Sequence, residues 1–239
     1  SLVLTDLPDK IRQVNTCEIT NRKEYMDAER DLIMYLQKYK DADDDKIAKA
    51  MRGEVMVRIN ILRQISARGK VRDVIEFVKD FRENGKKIIL FCSLHEVVDQ
   101  LKRYFPTAVS VTGRDSQDEK QRAVDAFQNN PKADIIICSI KAARVGLTLT
   151  ASSNVAFVEF PWTYADCCQC EDRAHRIGQK DSVTCYYFLG RRTIDEKVYR
   201  IIQEKKNIAN AVTGSTEDIE ENIVDMVARI FDADYDDEE

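Results

Sequence analysis

The stretch Gln169-Cys170-Glu171-Asp172-Arg173-Ala174-His175-Arg176-Ile177-Gly178-Gln179 concentrates the chemistry of this 239-residue chain. Two arginines stand three residues apart, just before a glycine. A guanidinium is permanently charged and offers a planar fork that matches phosphate oxygens. On a helix, where each residue advances about 100°, Gln169, Arg173 and Arg176 fall within roughly 60° of one another. The expected surface is therefore an amide and two guanidiniums on one helical face, a clamp for polyphosphate. Cys167, Cys170, Ala174 and Ile177 fall on another face and read as small packing residues, ahead of a metal site at Cys167-Cys168-x-Cys170.

A chain that bound nucleotide alone would need a glycine-rich phosphate loop, and this one has none. Gly69-Lys70 and Gly85-Lys86 lack a glycine five positions upstream, and Val71 and Lys87 are not hydroxyl residues. No acidic pair follows a buried strand to hold a metal. Asp118-Glu119 and Asp195-Glu196 open helices and read as dipole-compensating acids. Half of a clamp is present.

Val14 to Ile19 suits a short strand, and three helices are expected over 21–40, 46–67 and 70–83, the last ended by Asn84-Gly85. From Lys87 onward, strands at 88–92, 108–111, 134–138, 154–160 and 183–189 alternate with helices, including one over 116–127 with a Ser116/Glu119 capping box and a long one over 193–212. Such alternation predicts an α/β fold, a parallel sheet with helices on both faces and functional loops at the carboxyl ends of the strands.

Composition narrows the setting. Net charge is −5, but residues 217–239 hold eleven acids against Arg229, a local −10 that leaves +5 for the rest. That end reads as a solvating, disordered tail, the alternative being a nucleic-acid mimic. Nine basic residues against four acids between Arg58 and Lys87 suit solvated helix faces, ahead of a phosphate track. Seven cysteines at irregular spacing suit reduced thiols and an intracellular location. No apolar run is long enough to span a bilayer, so no membrane partner is expected. Ser1 in place of a start methionine suggests a piece of a longer polypeptide.

These residues resemble the second motor lobe of superfamily 2 helicases, in particular the Swi/Snf-type double-stranded-DNA translocases. Ser139 to Thr150 is similar to that family's motif V and Gln169 to Gln179 to its motif VI, QxEDRxHRIGQ. Ile88 to Leu101 resembles motif IV, Val111-Thr112-Gly113 the short motif after it, and Leu7-Pro8-Asp9-Lys10 the segment that opens the lobe. Thr193 to Lys197 resembles the start of a returning brace. The Ser-Ile-x-Ala-Ala-x-x-Gly-Leu-Thr form of motif V leans toward the annealing-helicase branch.

The resemblance implies a RecA-like lobe, preceded by a helical segment and followed by a long brace helix. Residues 1–84 would be an extended segment and helical subdomain, 85–192 the lobe, 193–231 the brace and C-terminal helical region, and 232–239 an acidic tail. It implies arginine fingers at Arg173 and Arg176, with Gln169, Gly146 and Asp172 at the nucleotide or lobe interface and no metal ligand. Thr112, Ser139, Lys141 and Arg144 would meet the DNA backbone. ATP with Mg²⁺ would be held mainly by an N-terminal helicase lobe of the same polypeptide, and duplex DNA would be the partner. Alone, this chain is expected to be inactive as an ATPase. Three positions depart from the pattern: Ile140 where many relatives have threonine, Arg144 where many have a small residue, and Thr148 for a common asparagine. Trp162 reads equally as a family position or a core anchor. A non-hydrolytic DNA- or partner-binding module is the competing reading, and an RNA helicase lobe is disfavoured by Glu171-Asp172 and by His175 with Gly178-Gln179.

Overall fold

A computed structural model describes residues 7–204 and 216–236. Six strands run parallel in the order β1-β6-β5-β2-β4-β3: β1 Lys10–Cys17, β2 Ile88–Phe91, β3 Val109–Val111, β4 Ile135–Cys138, β5 Asn154–Phe157 and β6 Val183–Gly190. Between them lie α1 Arg22–Lys40, α2 Asp45–Glu83, α3 His95–Tyr104, α4 Gln117–Asn129, α5 Ile140–Ala143 and α6 Tyr164–Glu171, and after β6 come α7 Ile194–Glu204 and α8 Thr216–Asp236.

The central strands β2 and β4 are buried along their whole length, which is why they read as unbroken apolar runs. Alternate residues of a strand point to opposite faces, and two apolar layers follow. Ile89, Phe91, Ile136, Val155 and Phe157 join side chains of α1, the first half of α2, α4, α7 and α8. Ile88, Leu90, Ile135, Ile137 and Ala156 join Val71, Val74 and Val78 of α2 and Val97, Val98 and Leu101 of α3. The parallel sheet with helices on both faces is as expected.

Four expectations are corrected. The two helices expected over 46–67 and 70–83 are one, α2, 39 residues long. Gly69 does not stop it. A Cβ there would lie 2.2 Å from Asn21 Oδ1 and 2.7 Å from Ile19 Cβ, and the Thr20 N–H donates to the Gly69 carbonyl at 3.1 Å. The glycine is a notch for a crossing chain. Asn84-Gly85 does end α2: Gly85 takes φ +66, its N–H donates to Arg82 and the Lys86 N–H donates to Phe81, a Schellman closure.

Next, β1 starts at Lys10, four residues before the expected strand, in register Lys10↔Val183 through Cys17↔Gly190. The acidic end is no disordered tail over residues 216–236. It forms α8, whose Ile223, Val224, Val227, Ala228, Ile230 and Phe231 are buried. Apolar residues at helical spacing outweigh the charge, and the Tyr39 hydroxyl lies 3.5 Å from the Asp225 carboxylate. Of the helix expected over 193–212, α7 covers 194–204, and 205–212 lie outside the described residues.

Lastly, most of the basic run from Arg58 to Lys87 has internal partners. Lys70 is buried on Asp195 at 2.9 Å. Arg63 lies over the Trp162 ring at 4.2 Å and donates to the Phe160 carbonyl. Arg58 pairs with Asp31, Arg68 with Glu24 and Arg82 with Asp134. Lys87 donates to three backbone carbonyls. Trp162 thus serves as a platform for a cation from α2.

Candidate functional site

The site grows from α6. The Thr163 side chain accepts the Asp166 N–H at 3.1 Å and starts the helix. Cys167 and Cys170 then point into the core, at 0% and 2% exposure, and burial pushes the Cys170 thiol up to about 12. These cysteines pack, as does Ala174. Ile177 does not: it is 84% exposed, against its expected place on the packing face.

The reason is that α6 stops at Glu171. The one-helix argument for Gln169, Arg173 and Arg176 therefore fails, because both arginines lie in the turns that follow. What gathers them is the loop 144–150. The Leu149 N–H donates to the Arg173 carbonyl at 2.9 Å. Arg176 Nη1 donates to the Leu147 carbonyl at 3.1 Å, and Arg173 Nε donates to the Gln169 carbonyl at 3.0 Å. Gln169 thus takes part through its backbone, its side chain being exposed. Gly146 adopts φ +75, and a Cβ there would sit 3.9 Å from Arg173 Nη1. Glycine reaches that left-handed conformation without strain, so the loop can turn directly beside the guanidinium. One N–H of each arginine is used for orientation, out of five donors on each guanidinium.

Arg173 and Arg176 line an open concavity of about 530 Å³ together with Leu7, Asp172, His175 and Ile177. Asp172 is exposed, with Lys10 at 3.7 Å and His175 Nδ1 at 3.9 Å. The exposed apolar side chains of Val145 and Ile177 belong to the same two segments. The donor set fits phosphate oxygens. Among the described residues no three His, Cys, Asp or Glu side chains gather as a metal site.

Thr112, Ser139, Lys141 and Arg144 follow the carboxyl ends of β3 and β4. They divide into two pairs. Thr112 and Ser139 are buried and engaged locally: the Thr112 hydroxyl lies 3.0 Å from Asp115 Oδ2, and Ser139 Oγ accepts the Ala142 N–H at 3.2 Å to cap α5. Lys141 and Arg144 are exposed, and Arg144 lies 3.5 Å from Asp166. The Ser93 hydroxyl, at the end of β2, accepts the Ile140 N–H at 3.2 Å and ties this loop to the next strand.

Two residues of the same stretch have structural partners that its spacing did not announce. Glu171 is fully buried. Arg12 holds it with two hydrogen bonds of 2.8 and 2.7 Å, Lys10 Nζ lies 3.1 Å away, and the Tyr187 hydroxyl donates at 2.8 Å. Burial pushes this carboxyl up, but the Arg12 hydrogen bonds and the charges of Lys10 and Arg12 outweigh it and leave the group below its ordinary value. The cations on Glu171 are Lys10 and Arg12 of β1. Gln179 is also buried. Its Nε2 donates to the carbonyls of Ser152 (2.8 Å) and Ala174 (3.1 Å), and its Oε1 accepts from the N–H of Lys180 (3.0 Å) and Asp181 (3.2 Å). The available signal for Glu171 was Lys10-x-Arg12, two cations on one face of a strand.

The helicase conserved C-terminal domain family matches residues 69–178. The chain is 33% identical over 145 residues to the SWI/SNF-related matrix-associated actin-dependent regulator of chromatin subfamily A-like protein 1 of Xenopus tropicalis, covering 59% of this chain and 15% of that protein. It is 30% identical over 224 residues to the human DNA annealing helicase and endonuclease ZRANB3, covering 90% of this chain and 19% of that one. The chain thus spans less than a quarter of the length of these relatives. Among solved structures, the Sulfolobus solfataricus SWI2/SNF2 ATPase core in complex with double-stranded DNA superposes with a TM-score of 0.69 at 21% identity, over 91% of this chain and 49% of that one. The C-terminal part of the Fun30 ATPase domain superposes with a TM-score of 0.68 at 15% identity, over 94% and 99%. These superpositions speak for the fold.

Proposed function

We propose, from the premise that this chain is a helicase C-terminal lobe of the Swi/Snf type, that it is the second half of an ATP-dependent double-stranded-DNA translocase motor. The observation that carries the reading is the pair Arg173 and Arg176, each oriented by a backbone carbonyl and open to one concavity, in a chain with no phosphate loop. In this reading ATP is held mainly by an N-terminal lobe of the same polypeptide. That lobe also supplies the ligands for Mg²⁺, an ion that neutralises phosphate charge. Closure of the two lobes brings Arg173 and Arg176 to the γ-phosphate, where their charge stabilises the transition state.

Val145 and Ile177 are exposed apolar side chains and Gln169 and Asp172 exposed polar ones; with Gly146 they are assigned to the surface that meets another lobe. Lys141 and Arg144 supply the charge for the DNA backbone, while Thr112 and Ser139 shape the loop ends that present it. Phosphate contacts position a protein without reading sequence, which suits movement along duplex DNA. The isolated chain has no measurable turnover in this account.

The test is duplex-DNA-stimulated ATP hydrolysis by the intact polypeptide. Arg173→Ala and Arg176→Ala are each expected to lower turnover by roughly 10³-fold. Full turnover in both variants would reduce the chain to a DNA- or partner-binding module. Turnover by the isolated chain that Arg176→Ala abolishes would contradict the division between lobes.

A further inference from the structure

We propose that Glu171 is a positioning residue for Arg173 and Arg176, and that the segment 8–12 sets their placement through it. The inference rests on the reading above that the two guanidiniums act at phosphate.

Glu171 is where the helix ends and the arginine turns begin. Its carbonyl accepts the N–H groups of Ala174 (3.1 Å) and His175 (3.0 Å), so the turn carrying Arg173 hangs from this residue. Its carboxylate is fixed from the opposite side by the Arg12 fork, the Lys10 ammonium and the Tyr187 hydroxyl. The Arg12 guanidinium also lies over the Tyr164 ring at 5.0 Å, so one cation touches both ends of α6. A second tie follows two residues after Arg173, where His175 Nε2 lies 2.6 Å from the Pro8 carbonyl.

Residues 171 and 175 bracket Arg173, and both are held by 8–12 together with Tyr187 of β6. A surface loop of this length would otherwise sample many conformations. A buried carboxylate met by a bidentate arginine has one good geometry. Displacement of a charged group by about 1 Å can cost on the order of 10²-fold in rate. Movement of the segment 8–12 would therefore reach the guanidiniums through two direct contacts, and β1 serves as the lever.

The experiment measures kcat and KM for ATP in the intact polypeptide at saturating duplex DNA, with a melting curve for each variant. Glu171→Gln keeps the shape and removes the charge. It is expected to lower kcat about tenfold or more with little change in KM. Arg12→Gln should match it, and Arg12→Lys, which restores charge without the fork, should fall between Arg12→Gln and the parent. In an Arg173→Ala background, Glu171→Gln should cost far less than it does alone.

Unchanged kcat for folded Glu171→Gln, alongside loss in Arg173→Ala, would overturn the inference and leave the arginine reading standing. Full additivity of Glu171→Gln with both Arg173→Ala and Arg176→Ala would also overturn it, since Glu171 would then act elsewhere. Normal turnover in Arg173→Ala and Arg176→Ala removes the reading and the inference with it. If Glu171→Gln does not fold, Lys10→Met decides by the same criteria, because it weakens the anchor and keeps the Arg12 fork.

Discussion

The ammonium of Lys70 and the carboxylate of Asp195 meet at 2.9 Å across 125 residues of sequence, both buried. Lys70 also donates to the Phe188 carbonyl at 2.9 Å and to that of Val158. Asp195 accepts from the Ser66 hydroxyl at 2.6 Å and the Gly190 N–H at 3.0 Å. The pair therefore joins α2, the segment after β5, the end of β6 and the start of α7. Removing one partner leaves the other charged and unpaired. Lys70→Met or Asp195→Asn should each destabilise by about 3–5 kcal/mol, and Lys70→Met/Asp195→Asn by less than the sum. Urea unfolding checks this, and full additivity would show that the two charges do not depend on each other.

Two buried carboxylates, Asp195 and Glu171, should make the fold acid-sensitive. Burial raises Asp195, but the Lys70 charge and the hydrogen bonds from Ser66, Lys70 and Gly190 outweigh it, and Glu171 is lowered in the same way by Arg12 and Lys10. A carboxyl whose value falls on folding stabilises the charged state. Its contribution is complete above the ordinary values of 3.8 for Asp195 and 4.5 for Glu171, and is lost as pH falls through the lower folded values. Stability should be flat in this respect above about pH 5 and should fall by up to about 1.4 kcal/mol per pH unit per group below it. Glu171→Gln should flatten that acid limb in denaturant titrations from pH 3 to 7. An unaltered slope would mean that Glu171 titrates alike in both states.

Gly53 and Gly69 lie on one helix and should respond in opposite directions. A Cβ at Gly53 meets nothing within 4 Å, so Gly53→Ala should stabilise by about 0.5–1 kcal/mol through helix propensity. A Cβ at Gly69 meets Asn21 Oδ1 at 2.2 Å and Ile19 Cβ at 2.7 Å, so Gly69→Ala should destabilise by about 1–3 kcal/mol. Thermal melting of the two variants reads the sign directly. A stabilising Gly69→Ala would mean that the crossing chain at 19–21 can move aside.

Lys141 and Arg144 should appear in the salt dependence of DNA binding. If each meets one phosphate, Lys141→Ala and Arg144→Ala should each reduce the slope of log K against log salt by about 0.9. The slope is measured on a duplex of fixed length for the intact polypeptide. An unchanged slope for Arg144→Ala would assign that residue to its contact with Asp166.

Much of the fold was legible because its signals are local. Ile88 to Phe91 and Ile135 to Cys138 are apolar runs short enough to be strands, and they are buried strands. Ser116 and Glu119 announced a capping box, and both of its bonds form. Asn84-Gly85 announced a helix end with positive φ. The break expected between 67 and 70 is absent because Gly69 there lets another chain approach, and a glycine's use for that purpose is set by its neighbours in space. The acidic end misled because its charge density hid apolar residues at helical spacing that α8 buries.

The candidate site divides along the same line. Residue order alone shows two arginines three apart before a glycine, in a chain without a phosphate loop, because type and spacing are properties of the chain. It did not determine how they are held. A helical face was the local answer. The tertiary structure replaced it with a turn hung between α6 and the loop 144–150, because Leu147, Leu149, Arg12 and Pro8 reach these residues from 24 to 167 positions away. The same distance hid the role of Glu171. A carboxylate beside two arginines looks like their partner in sequence. In the folded chain β1 takes it instead, because a buried charge requires opposite charge in hydrogen-bonding geometry, and only the packed strand delivers two cations there. That leaves Arg173 and Arg176 for another ligand.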